Sequence, residues 1–146
     1  MPVTASDIAL AHALADAAGA AIRPYFRGDL GLELKADRSP VTLADRAAEA
    51  AMRRLIEAER SGDGIIGEEY GEKAGVSGRT WVLDPIDGTK SFSVGRAIFG
   101  TLVALVGSSG WVEVALVNGD AARQLTVGPG ATVWVTRGKP APGARL

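Results

Sequence analysis

The 146-residue sequence has no cysteine and a single histidine, His12, set in an alanine-rich segment. Those absences exclude a disulfide scaffold and the thiolate and imidazole clusters that hold zinc or copper. The remaining ligand chemistry is hard oxygen, which suits magnesium, manganese or calcium. The missing cysteine also fits a reducing compartment. Neither sign of charge prevails, with 16 Lys plus Arg against 17 Asp plus Glu, so there is no basic field for nucleic acid and no acidic tail. No apolar run approaches the ~20 residues that span a bilayer. The N-terminus carries Asp7 early and lacks the basic and apolar regions of a secretory signal. These features predict one domain, residues 1–146, in a cytoplasmic protein that acts on a small molecule and binds neither membrane nor nucleic acid.

Thr4-Ala5-Ser6-Asp7 reads as a capping box, and Ile8, Ala11, Leu14, Ala18 and Ile22 follow at helical spacing, with Pro24 near the end. His12 lies on this helix, and without a second His or Cys nearby it is a surface or packed histidine. Leu30, Leu32 and Leu34 alternate as in a short strand. Thr42-Leu43-Ala44-Asp45 is a second capping box, opening a helix to about Arg60. Ala48, Met52, Leu55 and Ile56 form its apolar face, and Arg46, Glu49, Arg53 and Glu57 form a face expected to be solvated and paired at three or four residues. Ser61-Gly62-Asp63-Gly64 stops the helix. Residues 70–79, rich in glycine and charge, predict a loop, either a mobile one that closes over a site or a plain surface connection.

Two strand ends carry the chemistry. Ile65-Ile66-Gly67-Glu68-Glu69 and Trp81-Val82-Leu83-Asp84-Pro85-Ile86-Asp87-Gly88-Thr89 are apolar strands that end in acids, so at least three carboxylates can meet there. Pro85 restricts the backbone between Asp84 and Asp87. Taken alone, Asp87-Gly88 is ordinary turn chemistry and Asp45 an ordinary first-turn acid. The stretches 99–106, 111–117, 123–127 and 132–136 alternate or run apolar between breaks and predict an antiparallel meander. Trp81, Trp111 and Trp134 are assigned to core or sheet faces, and 139–144 is linker-like.

Gly67-Glu68-Glu69 followed by Asp84-Pro85-Ile86-Asp87-Gly88-Thr89 resembles the paired signature of the magnesium-dependent inositol monophosphatase superfamily. Arg23-Pro24-Tyr25-Phe26-Arg27, Lys90-Ser91-Phe92 and the run 99–105 are most similar to its histidinol-phosphatase branch. The resemblance implies an α+β fold, the N-terminal part of a layered α/β/α/β/α sugar-phosphatase architecture, with two helices on a largely antiparallel sheet. It implies Mg²⁺-dependent hydrolysis of a small phosphate monoester, histidinol phosphate first, with inositol, polyol or nucleotide phosphates as alternatives. A non-catalytic metal- or phosphate-binding module is the alternative of another class. Carried over by residue, Glu68, Asp84 and the carbonyl of Ile86 match one metal's ligands, and Asp84 and Asp87 a second's. Thr89, with Asp45, matches the pair that orients the attacking water, and Glu68 completes the catalytic set. Asp87, Gly88 and Thr89 match the phosphate-binding turn. Glu69 and Lys35 are weaker matches, near the ligands and near the substrate.

Members of the family take a further metal-ligand aspartate from a W-D motif in their second half and form homodimers. Here each tryptophan is followed by valine, and Asp120 has no such context. One ligand of the second metal and the substrate-discriminating surface are therefore not expected in this chain.

Overall fold

The computed structural model describes residues 3–28, 33–34, 40–96, 99–107 and 112–117. Both predicted capping boxes form. Thr4 caps α1, Ala5–Ile22, which continues into a short 3-10 turn, Arg23–Tyr25. Thr42 caps α2, Leu43–Glu59. In each box the acid three residues on accepts a hydrogen bond from the cap's backbone N–H, so two otherwise orphaned amides are satisfied together.

The inward stripe of α1 is Leu10, Leu14, Ala18 and Ile22, a strict four-residue repeat. Ile8 lies about 200° around the helix from Leu10 and is 49% exposed, so the apolar face departs in part from the predicted one. On α2, Ala48, Met52 and Ile56 are buried as the spacing predicts, Leu55 is half-buried, and Ala44 joins the buried face. Glu49 is the exception to the expected solvated face. It is 0% exposed, because its position three residues before Met52 and four after Asp45 puts it on the inward stripe.

Two minimal strands, β1, Glu33–Leu34, and β2, Pro40–Val41, pair antiparallel. Of the predicted alternating leucines, Leu30 and Leu32 lie outside the described residues. The main sheet holds β3, Gly64–Gly67, β4, Gly71–Lys73, β5, Thr80–Asp87, β6, Gly100–Val106, and β7, Val112–Val117. Its order is β4-β3-β5-β6-β7. Three of its pairings are antiparallel and β3–β5 is parallel. The run β5-β6-β7 is the expected meander. The predicted strands at 123–127 and 132–136 lie outside the described residues.

Both long helices pack on one face of the sheet, where Ile65, Trp81, Leu83, Val103 and Leu105 join Leu14, Ala48, Met52 and Ile56 in a single core. The alternate positions Val82, Leu102, Ala104 and Val106 are half-buried and Ile66 is 36% exposed. No described helix is long and apolar enough to cross a membrane.

Residues 70–79 are not a lid. Gly71–Lys73 is an edge strand on β3, and the connection to β5 is fastened beneath it. The backbone N–H groups of Val76 and Ser77 donate to Gly62 O at 2.8 and 3.0 Å. The buried Asp63 accepts from Ser77 Oγ at 2.6 Å and from Trp81 Nε1 at 2.9 Å. These fasteners sit at the start of β3, whereas Glu68 leaves its far end.

Candidate active site

Because β3 and β5 run parallel, with Gly67 opposite Leu83, Glu68 and Asp84 leave neighbouring strands at the same edge. An antiparallel pairing would have sent the two acids to opposite ends. Beyond Asp84 the register to β6 slips, since Asp84 lies opposite Leu102 and Asp87 opposite Gly100. Pro85 has no N–H to give to a ladder, and the extra residue forms a bulge that breaks the alternation. Pro85 and Ile86 are consequently both buried, and Thr101 Oγ1 donates to Pro85 O at 2.9 Å. Gly88 then adopts φ 93°, ψ 37°, a left-handed conformation that favours glycine. The chain turns there into α3, Thr89–Ser93, held by Phe92, which packs against Phe26 and Phe99.

Asp84 is the electrostatic centre of this edge. Burial pushes its carboxyl up to about 6, and the charges of Glu68 and Asp87 add to the effect, with a smaller contribution from Asp45. A hydrogen bond from the Ile86 backbone N–H opposes it. Asp84 thus feels three other carboxylates, from the turn after β3, the end of β5 and α2, and all four are oxygen donors of the kind a hard cation takes. Among the described residues, however, no three acidic or histidine side chains are arranged as a closed metal cage. The donor set fits a hard divalent ion in chemistry, while the expectation that the two strand ends form a three-carboxylate cage is not met in the side-chain positions.

Asp45 both caps α2 and receives Thr89, because it has two oxygens. Oδ2 accepts from the Thr42 backbone N–H at 2.7 Å and from Thr42 Oγ1 at 2.6 Å, capping α2. Oδ1 accepts from Thr89 Oγ1 at 3.2 Å. The Thr89 hydroxyl also lies 3.0 Å from Ile86 O, so one proton is shared between two acceptors. Asp87 and Gly88 are exposed on the turn. Glu68 is exposed and Glu69 half-buried. Lys35 and Asp120 lie outside the described residues. His12 is exposed on α1, away from these groups.

Sequence reasoning missed Glu49. Its Oε2 accepts from the Glu69 backbone N–H at 2.7 Å, and its Oε1 from that of Tyr70 at 3.1 Å and from Arg53 Nε at 2.8 Å. The spacing of positions 45, 49, 52 and 56 was the available signal, since it puts this glutamate on the buried stripe.

Residues 4–142 match the Inositol monophosphatase family. The chain is 40% identical over 134 residues to a histidinol-phosphatase of Mycobacterium tuberculosis, covering 91% of this chain and 48% of that protein. It is 47% identical over 107 residues to a histidinol-phosphatase of Streptomyces coelicolor, covering 73% and 40%. Among solved structures it resembles an inositol monophosphatase from Zymomonas mobilis with a TM-score of 0.58 and 48% identity, covering 81% of this chain and 50% of that one. The chain spans about half the length of the relatives it matches. With a family match that runs almost end to end and the two acid-ended strands side by side, this chain belongs to the inositol monophosphatase family.

Proposed function

We propose that the protein contributes the metal- and water-handling half of a Mg²⁺-dependent phosphatase acting on a small phosphate monoester, with histidinol phosphate as the substrate. The observation that carries the reading is the parallel pairing of β3 and β5, which brings Glu68 and Asp84 to one end of the sheet, where burial and then the charges of Glu68, Asp87 and Asp45 raise the Asp84 carboxyl. Glu68, Asp84, Asp87 and the Ile86 carbonyl are the groups that would hold magnesium. When bound, the metal neutralises phosphoryl oxygens and supplies an activated water.

The chain's own residues do the rest. While the Thr89 hydroxyl donates to Asp45 Oδ1, its oxygen lone pairs are free to accept from a water, which fixes that water's orientation. Asp45 is 4% exposed and anchored through its other oxygen, so the pair loses little freedom when the water arrives. Asp87, Gly88 and Thr89 form the turn against which the phosphate would lie. The choice of histidinol phosphate rests on the two histidinol-phosphatases, at 40% and 47% identity. Inositol monophosphate is the same-class alternative.

Calorimetric titration with Mg²⁺ or Mn²⁺ tests the site. Asp84→Asn is expected to abolish tight binding, and equal affinities in the two proteins would remove the assigned site. In a version that includes the second half of the fold, kcat/KM for histidinol phosphate is expected to exceed that for inositol 1-phosphate. The reverse order would move the protein to the inositol branch.

The half-length of the chain favours a second reading, in which it binds metal or phosphate without turnover. Metal-dependent hydrolysis of a generic aryl phosphate separates the two.

A further inference from the structure

We propose that Glu49 is the positioning residue for Glu68, a clamp through which α2 sets the distance between the two acid-bearing strand ends. The inference rests on the metal-site reading above and adds a residue to it that touches neither metal nor substrate.

The carboxylate of Glu49 is entirely enclosed, which is costly for a charge unless hydrogen bonds replace its water. The replacements come from the segment that carries Glu68. The next two backbone amides, Glu69 and Tyr70, both donate to it. The residue before, Gly67, lies so close that a Cβ built there would fall 2.0 Å from Oε1 and 2.4 Å from Cδ. A side chain at 67 would therefore displace the carboxylate, and glycine is required by close approach. Arg53, one turn further along α2, completes the grip. Its Nε donates to Glu49 Oε1 and its Nη2 to Gly71 O. Glu68 is thus followed by two residues bonded to the helix and preceded by one packed against the same carboxylate, while its own side chain stays exposed.

The same helix holds the other strand end. Asp45, one turn before Glu49, receives Thr89 from the turn after β5. Two inward carboxylates four residues apart are displaced by about 6 Å along a helix axis. One grips the turn after β3 and the other the turn after β5. The first two turns of α2 therefore act as a template that fixes Glu68 relative to Asp84 and Asp87. An apolar residue at 49 would leave these three donors without their acceptor, so the position calls for a side chain with two oxygens.

Glu49→Gln keeps the shape and replaces one acceptor oxygen with a donor group that faces an N–H. In the 146-residue chain, amide hydrogen exchange at Glu69 and Tyr70 is expected to quicken at least about tenfold, with exchange in β5 and β6 unchanged. The Mn²⁺ dissociation constant should rise about tenfold, the lower end of what outer-shell substitutions cost. Arg54→Gln, at an exposed position of the same helix outside the clamp, should change Mn²⁺ affinity by less than about threefold.

Unchanged exchange at 69 and 70 in Glu49→Gln overturns the clamp. Loosened amides with wild-type Mn²⁺ affinity overturn its role toward Glu68, and an Arg54→Gln loss as large as that of Glu49→Gln would mean a general effect of changing α2 and overturn the clamp. If Glu49→Gln does not fold, the wild type decides: amides of Glu69 and Tyr70 exchanging at open-loop rates overturn the proposal, and core-like protection supports it. A wild type that binds no Mn²⁺ refutes the metal site and with it the clamp's purpose, while exchange still shows whether Glu49 holds the turn.

Discussion

Replacing Asp84 with asparagine should make the metal-free protein more stable while disabling its site. The Asp84 carboxyl is raised from 3.8 to about 6, first by burial and then by Glu68 and Asp87. For an acid, a raised folded-state value means that the folded protein holds its proton more tightly than the unfolded chain. The favourable contribution is complete below about pH 4 and is lost as pH rises through about 6, so at pH 7 the ionised group opposes folding. Taken at face value the displacement has a ceiling of about 3 kcal/mol. The side chain is only half-buried, and solvent screening reduces the expected cost to about 1–2 kcal/mol. The neutral amide of the variant carries no charge and escapes the cost. Urea unfolding in EDTA should show Asp84→Asn more stable by that amount at pH 7, with the gap closing toward pH 4. Saturating Mg²⁺ should reverse the order, because ligand binding adds stability only to the protein that binds it. A variant less stable than wild type at pH 7 in EDTA, or a gap that ignores pH, would refute the account of Asp84 as a repelled carboxylate.

Thr89→Ala should leave metal affinity nearly intact and slow any turnover, and a loss of binding comparable to that of Asp84→Asn would assign Thr89 the wrong task. A double-mutant cycle of Asp45→Ala with Thr89→Ala should give a coupling of about 0.5–1.5 kcal/mol in urea unfolding, and strict additivity would mean that the 3.2 Å contact carries no energy. The 146-residue chain alone should hydrolyse histidinol phosphate weakly and self-associate through the face bearing Ile66, Val82, Leu102, Ala104 and Val106. Light scattering beside an activity assay checks both expectations, and a stable monomer turning over at ~1 to 10³ per second would contradict them.

Local signals carried much of this fold because they act over a few residues. The capping boxes at Thr4 and Thr42 and the turn at Gly88 are each decided within four positions, and all form where the sequence places them. What escapes the sequence is partnership across the chain. Glu49 reads as solvated because the partners that make its burial tolerable, the amides of Glu69 and Tyr70, lie 20 and 21 residues away. Residues 70–79 read as loose because glycine and charge mark loops in isolation, while their anchors at Gly62 and Asp63 are set by the β3–β5 pairing. The helix cap and the contact with Thr89 compete for Asp45 on paper, and the structure gives one oxygen to each.

The fastening of the connection between β4 and β5 to the start of β3 divides the sheet into a fixed end and a working end. Gly62, Asp63, Ser77 and Trp81 tie the two parallel strands together at the end remote from the carboxylates. Like charges at the other end can then repel without prising the strands apart, since a second set of contacts holds the pair at the opposite end. In evolutionary terms the two ends can drift separately. On the proposed reading, substitutions around residues 84–89 would retune which anion or cation is accepted while the knot at 62–64 keeps the strands aligned. A strand pair held only at its carboxylate-bearing end would make every such experiment a risk to folding.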